Sequence, residues 1–200
     1  NGLLQNGTSF TEGKVAQAFH LDGINDYVGT AYQGILGSQA RTVDAWIKSS
    51  SQAGQTIISY GTSDSTAQAQ GHMFIWIAGG NAMGFETSNA SITYSSPNVL
   101  DGNWHHVALS LPANAKVSDT KMYLDGTLLT TVVGSSNAGT LINTGTGRNV
   151  NLGRCHMNSC TLNGAFFLQG ELDEVEIFNR ELNASEIQAI YEVGSLGKCK

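Results

Sequence analysis

Short apolar stretches that alternate every second residue, each closed by Gly, Asn or Asp, run through most of this 200-residue chain. A period of two puts successive side chains on opposite faces of an extended strand, so a chain written this way must build sheets and bury one face of each. Val43, Ala45 and Ile47 fall on one face of such a stretch, and Val107, Leu109 and Leu111 on one face of another. Met73 to Ala78 is apolar on both faces, as suits a central strand. Lys121 to Leu124 and Thr127 to Val133 flank Asp125-Gly126, a pair that supplies the positive φ angles of a type I′ turn, and this reads as a hairpin. Asp22-Gly23 and Asp101-Gly102 mark two further turns. One helix is expected, from Ala184 to Glu192, with Asn183 as its cap, Glu186 completing a capping box, and Ile187, Ile190 and Tyr191 as its buried stripe. Gly194 suits the position after its end. Many strands and one late helix predict an all-β fold: a two-sheet antiparallel sandwich with one short C-terminal helix.

Composition narrows the class. Charged residues are 13% of the chain and hydrophobic ones 40%, with 24 glycines, the balance of a turn-rich β domain that still has a core to bury. The net charge of −6, with ten Lys and Arg against sixteen Asp and Glu, argues against nucleic acid, whose phosphates need clustered cations. No apolar run reaches the ~18 residues of a spanning helix, so membrane insertion is not expected. The chain begins and ends abruptly and holds no linker, as expected of one domain over 1–200 within a larger protein.

Three cysteines are present. Cys155 and Cys160 enclose four residues and read first as a small disulfide loop, which would imply an oxidising, extracytoplasmic setting. A zinc site using both sulfurs and His156 is the rival, but the second ligand pair usual for structural zinc is missing. Cys199 is left over, either free or paired with Cys155 or Cys160 instead.

Several segments, taken in order, resemble a known family: Phe19-His20-Leu21-Asp22-Gly23-Ile24-Asn25-Asp26-Tyr27-Val28, Thr42-Val43-Asp44-Ala45-Trp46-Ile47, Asp101-Gly102-Asn103-Trp104-His105-His106-Val107-Ala108, Met122-Tyr123-Leu124-Asp125-Gly126, and Gly170 to Tyr191. Together they are similar to laminin-G-like jelly-roll domains of the concanavalin A-like lectin/glucanase superfamily. The resemblance implies a jelly-roll sandwich used as a module of secreted or cell-surface proteins, chiefly bacterial, that commonly binds glycan and commonly holds one calcium ion. The fold also serves adhesion domains and glycoside hydrolases, so function has to be argued from the site.

The acids of Glu171-Leu172-Asp173-Glu174-Val175-Glu176 raise the hydrolase alternative, because retaining glycosidases need two carboxylates ~5–5.5 Å apart. By strict alternation Glu171 and Asp173 share a face, while Glu176 falls on the other unless a bulge intervenes. The charged Glu174 stands where the hydrolase strand is usually apolar, so no catalytic residue is assigned. Asp173 shares parity with Val175 and Ile177 and is expected to point inward, where a carboxylate needs a metal or donors. Calcium takes 6–8 oxygens, and the Asp22–Asp26 turn concentrates them. Asp22, Asn25 and Asp173 are therefore the expected ligands of a structural calcium ion, with Asp26 in reserve. The other reading has Asp22 and Asp26 bonding their own turn and Asp173 accepting from backbone amides.

For glycan contact the candidates are Tyr60, Trp76, Arg154, His156 and Phe166. Aromatic faces suit pyranose rings, these aromatics lie near strand ends or mid-strand, and Arg154 and His156 flank the cysteine loop. Trp46 and Trp104 are expected in the core, and His105 and His106 are expected to be structural. The reading is a non-catalytic glycan-binding module, lectin-like, with polysaccharide and neighbouring domains of its own polypeptide as partners. The alternatives are an adhesion or protein-interaction domain, and a glycoside hydrolase using Glu171, Asp173 and Glu176.

Overall fold

The computed structural model describes residues 2–62, 73–79, 81–155 and 166–196. Among these residues fifteen strands, numbered in chain order, form two antiparallel sheets. The eight-stranded sheet runs β1 (Gly2–Gln5), β4 (Tyr27–Thr30), β14 (Asn151–Leu152), β6 (Gln55–Tyr60), β7 (Met73–Ala78), β8 (Ala82–Glu86), β9 (Ser91–Ser95) and β13 (Val132–Ser136). The seven-stranded sheet runs β12 (Thr127–Leu128), β11 (Lys121–Leu124), β10 (Trp104–Leu111), β5 (Arg41–Lys48), β15 (Gln169–Phe178), β3 (Gln17–Asp22) and β2 (Ser9–Glu12). This is the jelly-roll sandwich expected of the alternation.

The inner faces meet in one apolar cluster. Val43, Ala45, Ile47, Val107, Leu109 and Leu111 come from one sheet, and Val28, Ile58, Met83, Phe85 and Ile92 from the other, all nearly inaccessible to water. Each such side chain contributes about 1.5–3 kcal/mol by leaving water, so the alternation seen along the chain is also where the stability lies.

Asp125 and Gly126 take φ of 49° and 75°, and the hairpin forms between β11 and β12 as the Asp-Gly pair predicts. The return strand is shorter than expected. It stops at Leu128, and the chain then leaves this sheet and adds to the other as β13, alongside β9.

One α-helix among the described residues, α1 (Ala184–Val193), covers part of the outer face of the seven-stranded sheet. Asn183 Oδ1 accepts from the Glu186 amide at 3.0 Å and Glu186 Oε2 accepts from the Asn183 amide at 2.9 Å, the reciprocal box read from the sequence. Ile187 packs with Ala108, Tyr123 and Leu182 in a second, smaller core, and Tyr191 stacks on Trp46 with centroids 5.7 Å apart.

Parity fails in β15, and a bulge is the cause. Asp173 pairs with Trp46 and Glu176 with Asp44, so three steps on one strand match two on its neighbour, and Glu174 takes the left-handed φ of 45°. Leu172 faces the core before the extra residue, and Val175 and Ile177 face it after. Asp173 therefore does not point inward with Val175 and Ile177. It shares the outer face with Trp46, and Glu171 and Glu176 lie on that face too, paired with Lys48 and Asp44.

Candidate functional site

The three acids brought to one face do not form an open active site. Asp173 is 5% exposed; its Oδ2 accepts from the Val15 amide at 2.8 Å and its Oδ1 from the Glu174 amide at 2.8 Å. The segment at Gly13 lies so close that a Cβ there would meet Asp173 Oδ2 at 2.5 Å. Asp173 thus anchors the β2–β3 turn and the bulge, leaving no room for a sugar. Glu171 sits between His20 at 3.6 Å and Lys48 at 3.9 Å.

The expected calcium ligands are not assembled either. Asp22 pairs with Gln169, four positions from Asp173 along β15, which is about 13 Å of extended strand, far beyond one ion's shell. Asp22 Oδ1 instead accepts from the amides of Ile24, Asn25 and Asp26 at 2.8–3.3 Å. These bonds, that from Ile24 foremost, hold its carboxyl below the usual value. Asp26 takes the amides of Gly7 and Asp22, and Asn25 uses its carbonyl to accept from Asn6. Among the described residues no group of three His, Cys, Asp or Glu could hold a metal ion. The self-bonded turn, the second reading of these acids, accounts for the geometry.

Of the residues expected to touch glycan, Tyr60 is excluded by burial. It is completely inaccessible beneath Gly34, whose positive φ of 79° and missing side chain let the backbone pass over the ring; a Cβ there would come within 2.3 Å of it. Its inward place follows from a bulge between Thr56 and Ile58 that sets the end of β6 on the core side. Phe166 is partly buried and its carbonyl accepts from the Thr56 amide at 2.9 Å. Trp76 pairs in register with Thr56 and Gly84, and its side chain lies outside what is described. His156 and Cys160 lie outside the described residues, as does Cys199. Cys155 is buried and disulfide-bonded.

Arg154 does lie in a pocket. On the outer face of the eight-stranded sheet, where β1, β4 and β14 run side by side, a depression of about 550 Å³ is lined by Gln5, Tyr27, Gly29, Arg148, Asn149, Asn151 and Arg154 among others. Register explains the lining. Leu4, Val28 and Leu152 occupy core-side positions, so Leu3, Gln5, Tyr27, Gly29 and Asn151 alternate outward. Gly29 has no side chain to fill the floor; a Cβ there would touch the Tyr27 ring at 3.5 Å. The Arg154 guanidinium lies over Tyr27, 3.9 Å from the ring centroid. Its backbone is held by Ser59 Oγ, which donates to the Arg154 carbonyl at 2.8 Å, and by the disulfide at the next residue. Asn151 is fixed by its own Nδ2 donating to the Asn149 carbonyl at 3.0 Å. The result is a concavity of mixed polar and apolar lining with one aromatic ring, the usual makeup of a small-ligand site. Tyr27, Arg148 and Asn151 were missed in the sequence, although Tyr27 and Asn151 each stand as the outward member beside a core Val or Leu.

Trp46 and His106 are buried on the outer face of the other sheet under α1, as structural residues. His105 bridges two turns, with Nδ1 2.8 Å from Asp125 Oδ2 and Nε2 3.2 Å from Asp101 Oδ1.

The sandwich, its sheet order and the late capped helix define a concanavalin A-like jelly roll. The laminin-G family model described as the concanavalin A-like lectin/glucanases superfamily matches residues 22–188, and the chain belongs to that superfamily. No curated protein matches it by sequence. Among solved structures it is similar to domain 4 of AbnA, a GH43 extracellular arabinanase from Geobacillus stearothermophilus, in complex with arabinotriose: 18% identity, 93% of this chain and 82% of that one, TM-score 0.63. It is similar to the CBM40 of a Ruminococcus gnavus IT-sialidase bound to α2,3 sialyllactose, at 19% identity over 78% and 84% of the two chains, TM-score 0.57. A SAP-like pentraxin of Limulus polyphemus aligns at 16% identity over 82% and 76%, TM-score 0.59. At these identities the likeness is one of fold. No helix among the described residues is long and apolar enough to cross a membrane.

Proposed function

We propose that this chain is a non-catalytic glycan-binding module of a secreted or cell-surface protein, and that it takes its ligand in the pocket of Tyr27, Asn149, Asn151 and Arg154. The observation that carries the reading is the pocket itself, with a glycine floor, an aromatic ring and polar side chains held by bonds within the protein. A sugar fits such a site because its hydroxyls need paired donors and acceptors while its C–H faces need apolar contact, and both are held there before binding. Two of the similar structures hold oligosaccharides, arabinotriose and sialyllactose, which supports the class of ligand. Burial of Asp173 against backbone amides favours binding over hydrolysis. The disulfide at Cys155, which we assign to Cys160, suits an oxidising compartment.

The test is affinity electrophoresis and calorimetry of the chain against a panel of plant, bacterial and animal polysaccharides. Asn149→Ala, an exposed substitution, is expected to weaken binding about tenfold with an unchanged melting midpoint, the usual loss for a hydrogen-bonding contact to ligand. No binding to any saccharide at millimolar concentration would overturn the reading and leave protein adhesion as the role.

A further inference from the structure

Strand register lays out a second row of chemistry, on the other sheet. On the outer face of the seven-stranded sheet Ser9 pairs with His20, His20 with Glu171, Glu171 with Lys48, and Lys48 with Trp104, so one unbroken row crosses β2, β3, β15, β5 and β10. The neighbouring row, Asp173, Trp46 and His106, is buried beneath the β2–β3 turn and α1, with the Lys14 ammonium 4.3 Å from the Trp46 ring centroid. Cover stops at that edge, and Trp104, expected in the core, is only partly buried.

The open row forms the floor of a depression. Asp22, Ser50 and Gly102 at the strand ends, with His20, Lys48 and Glu171, line about 520 Å³ there. Its rim is tied down, since Ser49 Oγ donates to the Gln169 carbonyl at 2.6 Å and the Gly102 amide to the Ser49 carbonyl at 3.0 Å. Gly170, at φ of 138°, lets that rim close on β15; a Cβ there would come within 2.2 Å of the Lys48 carbonyl.

The side chains of the row are those a sugar chain needs. Glu171 lies 3.6 Å from His20 Nδ1 and 3.9 Å from Lys48 Nζ, spacings of charge attraction and not of hydrogen bonds, so its oxygens can accept hydroxyl protons. His20 and Lys48 are half-exposed and can donate. The Trp104 indole, 5.9 Å from the Lys48 ammonium, offers an apolar surface to the C–H face of a ring. Neighbouring strands stand about 4.8 Å apart, close to the length of one unit in an extended sugar chain, and the row from His20 to Trp104 takes three such steps, about 14 Å.

We propose that this groove is a second saccharide site, which takes a linear chain of at least three units laid across the strands. Trp104 lies beneath one ring, Glu171 accepts from hydroxyls, and Lys48 and His20 donate to sugar oxygens. The class of ligand rests on the glycan-binding reading; the place and the length of ligand are added to it.

The experiment varies ligand length. The intact chain is titrated by calorimetry with xylo-, arabino- and cello-oligosaccharides of two to six units. Affinity in at least one series is expected to climb tenfold or more from the disaccharide to the tri- or tetrasaccharide and then to level off. Trp104→Ala is expected to weaken the longer members tenfold or more, and Trp104→Tyr to restore most of that loss. Glu171→Gln, which keeps the shape and removes the charge, is expected to weaken them about tenfold with an unchanged melting midpoint. Affinity that ignores length, longer chains that bind the Trp104→Ala and Glu171→Gln proteins as tightly as the parent, or loss of all binding in Asn149→Ala would each overturn the proposal and spare the glycan-binding reading. No binding in any of the three series would also overturn it, and the wider polysaccharide panel then decides that reading by itself.

Discussion

At the scale of single residues, polar side chains here are spent largely on the backbone. Arg41, fully buried, donates to the carbonyls of Ile35, Gly37 and Gln39 and to Thr144 Oγ1, tying the loop after β4 to the sandwich. Asp22, Asp26 and Asp173 do the same with amides. A carboxylate that caps its own turn and one that ligates calcium look alike in a sequence. His105 behaves differently, because its partners are charged. Hydrogen bonding to Asp125 raises its pKa above the ordinary 6.5, so the folded chain holds that proton more tightly than the unfolded one. Its contribution to stability is complete below 6.5 and is lost as pH rises through the raised value. Asp101 is drawn down to about 2 from 3.8, first by the side chain and amide of Asn103, so its contribution is present above 3.8 and lost as pH falls toward 2. Urea midpoints measured across this range should therefore be flat in the middle and decline on both sides. His105→Gln should remove the alkaline decline and leave the acid one.

At the scale of elements, those whose signal is local were legible. The capping box around Asn183 and the Asp125-Gly126 turn need only neighbours within a few residues, and both formed as read. Bulges are another matter, since one inserted residue reverses every later side chain and nothing in Glu174 itself announces it. The same cause hid Tyr60, set inward by the bulge in β6, and it turned Asp173 outward. The bulge at Glu174 can be tested by deletion. Removing Glu174 takes out the extra residue and restores strict alternation, with Leu172, Val175 and Ile177 on the core face and Asp173 and Glu176 on the outer one. The deletion variant is therefore expected to keep cooperative urea unfolding, and Glu174→Gly, which keeps the residue and suits a φ of 45°, should also unfold as sharply as the parent. A deletion variant that loses cooperative unfolding would show that the strand cannot pair without the bulge.

At the scale of the whole molecule, the sandwich was readable because alternation is repeated in nearly every strand, and errors in one do not propagate to the rest. The pocket was not, because its lining comes from strands far apart in sequence that register alone brings together. Arg154 was picked out by its neighbouring cysteine, while Tyr27 and Arg148 carried no signal without the sheet order. Nor did the sequence suggest that β13 would leave one sheet for the other. The absence of an assembled calcium set in the described residues makes a global prediction: the melting midpoint should not move between added calcium and a chelator, because only a ligand of the native state raises it. A rise with calcium would return a metal to the Asp22 turn. The position of β14 has a consequence for how the protein is made. This two-residue strand, Asn151–Leu152, is inserted between β4 and β6, so the pocket stays unbuilt until a segment some 120 residues downstream of β4 has been synthesised and threaded into place. On the proposed function, a nascent chain on the ribosome is blind to sugar until β14 has emerged, and affinity for ligand would report that this strand is in place.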